Sequence, residues 1–166
     1  GKTTATANIG AGLALSGKKV ALIDTDTGLR NLDLILGLEN YICYTLVDVA
    51  EGKVPYEKAL IHHPQYSNMY LLPTSQKYDK SALRGDDLSN LCQQMRTKFD
   101  YILIDCPAGI EQGFQTAIAG ADSAIIVTMP EMAALRDADK VVGELNRADL
   151  TDIKLIINRI RPDMLQ

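Results

Sequence analysis

Five short runs of apolar residues constrain the fold of this chain more than any other feature of its sequence. The runs are continuous rather than alternating, and they span residues 20–23, 69–72, 101–104, 124–127 and 155–157. Strands that are apolar at every position are buried on both faces, as in a parallel sheet covered by helices. The runs therefore predict a parallel sheet as the middle layer of the fold.

Helical patterns lie between these runs. Two segments repeat apolar residues at helical spacing. The first stripe comprises Leu88, Leu91, Cys92, Met95 and Phe99, and the second comprises Met132, Leu135, Ala138, Val142 and Leu145. Asp86 or Asp87 can cap the first of these two helices. Alternating strands and helices predict an α/β fold with right-handed crossovers and helices on both faces of the sheet. We see no linker or internal repeat, so residues 1–166 are predicted to form a single three-layer domain.

Composition excludes several classes of protein. Lys and Arg number 17 against 21 Asp and Glu, which leaves no electrostatic footprint for bulk nucleic-acid binding. Three scattered cysteines without a CxxC pair indicate a reducing compartment. No apolar run approaches the roughly 20 residues of a membrane span. His62 and His63 lie near no nucleophile or ligand cluster in the sequence, and we predict both as surface residues.

The first residues, Gly1-Lys2-Thr3-Thr4, match the closing half of a phosphate-binding loop. In that motif, backbone N–H groups at a helix N-terminus cradle phosphate oxygens, the Lys reaches the β- and γ-phosphates, and the Thr hydroxyl holds Mg²⁺. Residues 3–16 are rich in Ala, Thr and Gly, which suits a helix packed closely on a sheet, and Gly17 fits the end of that helix. A dinucleotide pattern GxGxxG is excluded because Leu15 replaces its third glycine.

Carboxylates follow two of the predicted strands, at the edge where open α/β sheets bind ligands. Asp105 ends the apolar run of residues 101–104, which is the Walker B pattern, although such an Asp can also simply cap the next turn. Asp24 and Asp26 end the run of residues 20–23. They would share one side of an ideal strand, but their separate roles cannot be inferred from spacing at a strand end. A Mg²⁺–phosphate centre near both strand ends is the simplest explanation.

The polar segment of residues 28–33, Gly-Leu-Arg-Asn-Leu-Asp, follows these carboxylates. Its composition is typical of a mobile loop that senses a γ-phosphate. The alternative is an ordinary capped helix that starts at Asn31.

Together, these residues resemble the septum-site-determining family of deviant-Walker-A P-loop ATPases. Five blocks carry the resemblance and cover essentially the whole chain: Gly-Lys-Thr-Thr at residues 1–4, Leu-Ile-Asp-Thr-Asp-Thr-Gly-Leu-Arg-Asn-Leu-Asp at 22–33, Leu-Leu-Pro-Thr-Ser-Gln at 71–76, Ile-Asp-Cys-Pro-Ala-Gly-Ile-Glu at 104–111, and Leu-Arg-Asp-Ala-Asp at 135–139. The resemblance implies an ATP-dependent switch with ATP and Mg²⁺ as its cofactors.

The resemblance also implies a role for each matched residue of the phosphate side. Gly1, Lys2, Thr3 and Thr4 would bind the nucleotide, with Lys2 on the phosphates and Thr3 on Mg²⁺. By the same matching, Asp26 would help to position the attacking water, Asp24 would support the metal side, and Asp105 would be the Walker B carboxylate that orients the metal, partly through water.

Partner and base contacts follow from the same resemblance. Asn158 matches the residue whose amide contacts the adenine edge. A helix face used by partner proteins is matched by Arg136, Asp137 and Asp139. Without the resemblance, a solvated face is the better interpretation of those three charges. The family dimerises with ATP between its subunits, recruits a division inhibitor, and is released when a second protein stimulates hydrolysis. It is cytoplasmic and peripheral on the inner face of the cell membrane, and it needs no specific nucleic acid.

The resemblance predicts that the chain is partial at both ends. The family's signature lysine and its first, central strand would precede Gly1, and its C-terminal amphipathic membrane helix would follow Gln166. Two other functions remain open. A partitioning ATPase would bind DNA non-specifically, and a remnant without catalysis would only bind partners or would not fold.

Overall fold

A computed structural model describes residues 1–26, 32–75 and 83–165. The chain divides into two compact units, which we describe separately. The larger unit comprises residues 3–120, and the smaller unit comprises residues 1–2 and 121–166. The predicted loop of residues 28–33 lies largely outside the described residues, as does Gln76 of the 71–76 block.

The larger unit contains four strands and six α-helices within its described residues. In chain order they are α1 (Lys2–Leu15, which starts one residue before the unit), β1 (Val20–Asp24), α2 (Leu32–Leu36), α3 (Leu46–Ala50), α4 (Tyr56–Ala59), β2 (Ile61–His62), β3 (Met69–Leu72), α5 (Gly85–Met95), β4 (Tyr101–Asp105) and α6 (Gln112–Ile118). A 3₁₀ turn at Glu39–Tyr41 follows α2.

The sheet of this unit has the strand order β2-β3-β1-β4. Strand β1 runs parallel to both of its neighbours, with Ile23 opposite Leu72 of β3 and Ile104 of β4. The parallel arrangement of these three strands confirms the prediction from the apolar runs. The two-residue strand β2 was not predicted and pairs antiparallel with β3, because a short connection can join only antiparallel neighbours.

Helices cover both faces of this sheet, as predicted. Every residue of β1 is buried, and successive side chains point to opposite faces. Val20 and Leu22 belong to the core beneath α1, whereas Ala21 and Ile23 belong to the core beneath α5. Continuous burial of both faces explains why the strand has no polar position before Asp24.

Helix α1 packs closely on the sheet because of its small residues. A Cβ atom at Gly10 would lie 2.9 Å from Leu22 Cδ1, so the helix could not keep this distance with a larger residue. The helix ends in a Schellman motif: Lys18 N–H donates to Leu13 O, Gly17 N–H donates to Ala14 O, and Gly17 has φ of +84°. The predicted helix end at Gly17 is therefore confirmed.

Helix α5 buries the first stripe, at Leu88, Leu91, Cys92 and Met95. The prediction that Asp86 or Asp87 caps this helix is wrong, because the N-cap residue is Arg84. Asp87 contributes as the third helical residue, where its Oδ2 accepts the N–H of Arg84 at 3.1 Å.

The smaller unit contains β5 (Ala124–Thr128), α7 (Met132–Arg147) and β6 (Ile153–Ile157), followed by a 3₁₀ turn at Pro162–Leu165. Strands β5 and β6 are parallel and pair from Ala124↔Ile153 to Thr128↔Ile157. Helix α7 covers the predicted second stripe, but only Leu145 of that stripe is buried, and Met132 is 67% exposed.

Candidate functional site

Two buried carboxylates meet at the carboxyl edge of the larger sheet. Asp24 ends β1, Asp105 ends β4, and the two residues are partners in the strand register. Each residue is only 1% exposed. Like charges in such positions repel each other, so a buried pair of this kind is expected where a cation or proton compensates it.

Burial, together with repulsion from Asp105, raises the pKa of Asp24 from its ordinary value of 3.8 to about 7. Backbone hydrogen bonding from Asp26 and Leu32 acts in the opposite direction and lowers this pKa. The bond from Asp26 N to Asp24 Oδ1 measures 3.0 Å. Asp24 and Asp26 are thus in direct contact, through the backbone of one and the carboxylate of the other.

The first turn of α1 supplies two hydroxyl groups to the second carboxylate. Thr3 Oγ1 donates to Asp105 Oδ2 at 3.0 Å, and Thr6 Oγ1 donates to Asp105 Oδ1 at 3.4 Å. Residues three apart lie on the same helix face, so both hydroxyls point to the end of β4. The predicted pairing of Thr3 with Asp105 is present, whereas Thr6 was missed, although its spacing from Thr3 was a usable signal.

Thr25 was also missed and links the two strand ends. It is 4% exposed, and its Oγ1 donates to the carbonyl oxygen of Asp105 at 2.7 Å. Its N–H donates to the same carbonyl at 3.2 Å. These two bonds extend the pairing of β1 and β4 by one residue and hold Asp24 and Asp105 side by side.

The remaining residues of the predicted phosphate loop lie at the beginning of α1. Lys2 is the first helical residue and is partly exposed, and Gly1 and Thr4 are exposed. The first N–H groups of a helix have no intrahelical acceptor, and the helix dipole favours an anion there. The location suits a phosphate, as the motif predicts.

In the smaller unit, Asn158 directly follows β6. Its N–H donates to Thr128 O at 2.8 Å, and its Oδ1 accepts the N–H of Arg159 at 2.9 Å. A Cβ atom at Gly1 would lie 3.9 Å from Asn158 Nδ2, so the glycine and the amide are neighbours. Arg136, Asp137 and Asp139, which are predicted to bind partners, are all exposed on α7.

The donor set of Thr3, Asp24 and Asp105 fits Mg²⁺. Across the described ranges, no group of three or more His, Cys, Asp or Glu residues could hold a metal. Mg²⁺ does not need such a cage, because it is usually bound through one or two carboxylates, waters and substrate phosphates. A buried carboxylate pair beside a threonine hydroxyl provides oxygen ligands of this type.

The fold and the site define a P-loop domain: a Lys-Thr pair begins a helix, and the threonine contacts Asp105, the predicted Walker B carboxylate. A family profile described as an AAA domain matches residues 1–157. The septum site-determining protein MinD of Synechocystis sp. is 55% identical over 166 residues, which is 100% of this chain and 62% of that relative.

Two solved structures extend the comparison. A MinC:MinD cell division protein complex from Aquifex aeolicus matches with a TM-score of 0.88 at 48% identity, covering 99% of this chain and 66% of that one. MinD from Pyrococcus horikoshii, complexed with Mg-ADP, matches with a TM-score of 0.87 at 36% identity, covering 100% of this chain and 71% of that one. The chain therefore belongs to the MinD family of septum site-determining proteins, within the AAA domain family. It spans 62% of the length of the Synechocystis relative.

Proposed function

We propose that this chain is the nucleotide-binding domain of an ATP-hydrolysing switch that helps to place the division septum. The observation that carries the proposal is the hydrogen bond of Thr3 to Asp105, beside the register pair of Asp105 and Asp24. Membership of the MinD family supports the process, and the Mg-ADP in the Pyrococcus relative supports the ligand class.

In the proposed reaction, water attacks the γ-phosphate in line with the leaving group. Lys2 binds the phosphate oxygens together with the first N–H groups of α1, and Asp26 helps to position the water. Thr3, Asp24 and Asp105 would hold Mg²⁺, with the carboxylates acting partly through water. When bound, Mg²⁺ neutralises charge on the phosphate oxygens. Asn158 contacts the base.

Steady-state ATP hydrolysis by purified protein tests this proposal. We expect Lys2→Ala and Asp26→Asn each to lower Mg²⁺-dependent turnover by at least about tenfold, since each removes a group that acts on the reacting phosphate or water. Lys18→Ala, on an exposed lysine after the end of α1, is the matched control for the charge change. Unchanged turnover in Lys2→Ala would refute the assigned role.

We further propose that the protein dimerises with ATP and uses α7 to bind partners. The exposure of Arg136, Asp137 and Asp139 on one helix supports this surface, and the Aquifex relative was solved as a complex with MinC. A division inhibitor of that kind and an ATPase-stimulating protein are the proposed partners. Sedimentation of the protein with ATP or ADP tests the dimer, because only ATP should promote it.

We propose a location at the inner face of the cell membrane, reached from the cytoplasm. Family membership supports this location. No helix among the described residues is both long and apolar enough to cross a membrane. DNA binding by the ATP-bound protein that weakens steeply with salt would instead favour the partitioning function. The net charge of −4 gives that alternative no support.

A further inference from the structure

The side chain of Thr25 joins the ends of β1 and β4 beyond their last register pair. The Thr25 hydroxyl donates to the carbonyl oxygen of Asp105 at 2.7 Å, whereas the Thr25 N–H donates to the same oxygen at 3.2 Å. The first distance is typical of an O–H···O bond, and the second is at the long limit for an N–H···O bond. The hydroxyl therefore makes the stronger of the two bonds at this position.

The bond from Thr25 acts against a local repulsion. Asp24 and Asp105 lie opposite each other in the register, and each residue is only 1% exposed. Two negative charges at neighbouring strand ends repel each other, and burial strengthens this repulsion because water screens it less. The register of β1 with β4 ends at this pair, and the two bonds of Thr25 follow directly. Thr25 is therefore located where it can keep the two carboxylates at a fixed separation.

Thr25 acts on Asp105 through the main chain and leaves the carboxylate to other groups. The side chain of Thr25 is buried, and its bond ends on the carbonyl oxygen of Asp105. The carboxylate of Asp105 instead accepts the hydroxyl of Thr3. A buried carbonyl that loses its donor has no water to replace it. Removal of the Thr25 hydroxyl should therefore loosen the end of β4 without removing an oxygen ligand from the metal site.

Cation size is the property that a fixed separation of two carboxylates selects. Mg²⁺ requires near-ideal octahedral geometry with oxygen atoms at about 2.0–2.1 Å. Ca²⁺ accepts more oxygen atoms, at about 2.3–2.6 Å, in a flexible geometry. A rigid pair of carboxylates therefore favours the smaller ion, and a loosened pair reduces that preference.

We propose that Thr25 is a positioning residue that sets the preference of this site for Mg²⁺ over Ca²⁺. It does so by holding the backbone of Asp105 to the end of β1, which fixes the separation of the Asp105 and Asp24 carboxylates. The inference rests on the proposed function, because that function assigns the two carboxylates to Mg²⁺. Thr25 is not a metal ligand in this arrangement, since its hydroxyl proton is used on a backbone carbonyl.

Three variants separate the hydroxyl bond from the packing of the side chain. Thr25→Val keeps the β-branched shape and loses the hydroxyl, whereas Thr25→Ser keeps the hydroxyl and loses the methyl group. Thr74→Val is the matched control, because Thr74 follows the neighbouring strand β3 and is 2% exposed. The hydroxyl of Thr74 has no hydrogen-bond partner among the described residues, so its removal breaks no bond of this kind.

The first measurement is hydrogen exchange of the residue 25 amide in protein without nucleotide or metal. After correction for intrinsic rates, we expect Thr25→Val to speed this exchange by roughly fivefold or more, with Thr25→Ser and Thr74→Val close to the wild type. Unchanged protection in Thr25→Val would overturn the proposal, because the hydroxyl would then not hold the strand ends together. This result does not depend on the proposed enzymatic function, since no ligand is present.

The second measurement is calorimetric titration with ADP in saturating Mg²⁺, in saturating Ca²⁺ and in EDTA. The quantity of interest is the ratio of the ADP affinity in Mg²⁺ to that in Ca²⁺. We expect Thr25→Val to lower this ratio by roughly fivefold or more, and Thr25→Ser and Thr74→Val to keep the wild-type ratio. A merely structural role would weaken ADP binding equally with both cations.

The titrations distinguish failure of the inference from failure of the proposed function. Stronger ADP binding by the wild type in Mg²⁺ than in EDTA, with an unchanged cation ratio in Thr25→Val, would refute the role of Thr25 alone. Equal ADP affinity of the wild type in Mg²⁺ and in EDTA would refute the proposed function, and the cation preference with it.

A second pair of variants serves if Thr25→Val does not fold. Thr25→Cys and Thr25→Ser have nearly the same shape, but a thiol is only a weak hydrogen-bond donor. We expect Thr25→Cys to show a lower ratio of ADP affinity in Mg²⁺ to that in Ca²⁺ than Thr25→Ser, by roughly threefold or more. Equal ratios in these two variants would contradict the proposal.

Discussion

Thr3 and Asp105 are 102 residues apart in the sequence, and their side chains form a hydrogen bond of 3.0 Å. This bond joins the first turn of α1 to the end of β4. It is the contact expected when a phosphate-loop threonine and a Walker B aspartate serve one Mg²⁺. Thr6 donates to the other oxygen of the same carboxylate at 3.4 Å, which is a longer and weaker bond.

The two threonines give a prediction about nucleotide affinity. Thr3→Val removes the hydroxyl that would bind Mg²⁺ and should weaken Mg²⁺-dependent ATP binding by about tenfold or more. Thr3→Ser, which keeps the hydroxyl, should bind nearly as well as the wild type. Thr6→Val should lower only the free energy of unfolding, by about 1 kcal/mol. Titration with and without EDTA measures the first effect, and an equal loss of affinity in Thr6→Val would contradict the assignment.

The raised pKa of Asp24 predicts a pH dependence of stability in the absence of divalent cations. The pKa is about 7 in the folded chain against 3.8 ordinarily. Between these two values the folded chain keeps a proton that the unfolded chain releases. The free energy of unfolding should therefore fall as the pH rises from about 4 to about 7, by up to about 4 kcal/mol from this residue.

Asp24→Asn isolates that contribution, because its side chain stays neutral. The variant should gain stability relative to the wild type as the pH rises to 8, and the difference should disappear near pH 4. Urea unfolding in EDTA at several pH values measures it, with the exposed Asp152→Asn as the matched control. A difference between Asp24→Asn and the wild type that does not change with pH would refute the burial effect.

Two glycines of α1 should respond in opposite directions to the same substitution. A Cβ at Gly10 would lie 2.9 Å from Leu22 Cδ1, whereas a Cβ at Gly12 would meet nothing within 4 Å. Gly12→Ala should stabilise the chain by about 0.5–1 kcal/mol through helix propensity. Gly10→Ala should destabilise it by about 1 kcal/mol or more, since Leu22 is fully buried. Equal effects in thermal unfolding would contradict the close packing of α1 on β1.

The exposed face of α7 gives a prediction about partner binding. Arg136→Ala should weaken binding of a MinC-type partner by about fivefold or more, because a charged hydrogen-bonding group is removed from the contact. Arg147→Ala is the matched control: this arginine also lies on α7, where it contacts Glu144. Surface plasmon resonance measures both, with circular dichroism as a check of folding. Equal binding by Arg136→Ala and the wild type would remove Arg136 from the proposed surface.

The parallel strands could be predicted because each contains a run of three or four consecutive apolar residues. In β1, where every residue is buried, the apolar signal spans residues 20–23 and the carboxylate of Asp24 ends it. The same signal located Asp24 and Asp105, and the short Gly-Lys-Thr motif located Thr3. These features depend on residues that are close together in the sequence.

The features that were missed depend on contacts between distant residues. Thr25 is a site residue because it bonds to Asp105, 80 positions away. His62 and His63 look alike in the sequence, yet only His63 is buried. Adjacent residues of an extended chain point to opposite sides, so the pairing of β2 with β3 decides which histidine is buried. A two-residue strand gives no periodic signal from which that pairing could be predicted.

Calorimetric titration of this chain with ATP, in Mg²⁺ and then in EDTA, tests the central claim most directly. We expect binding with a Kd in the nanomolar-to-micromolar range in Mg²⁺, at least about tenfold weaker binding in EDTA, and loss of that difference in Thr3→Val. Absence of ATP binding, or equal affinity with and without Mg²⁺, would contradict a nucleotide site built on Thr3, Asp24 and Asp105.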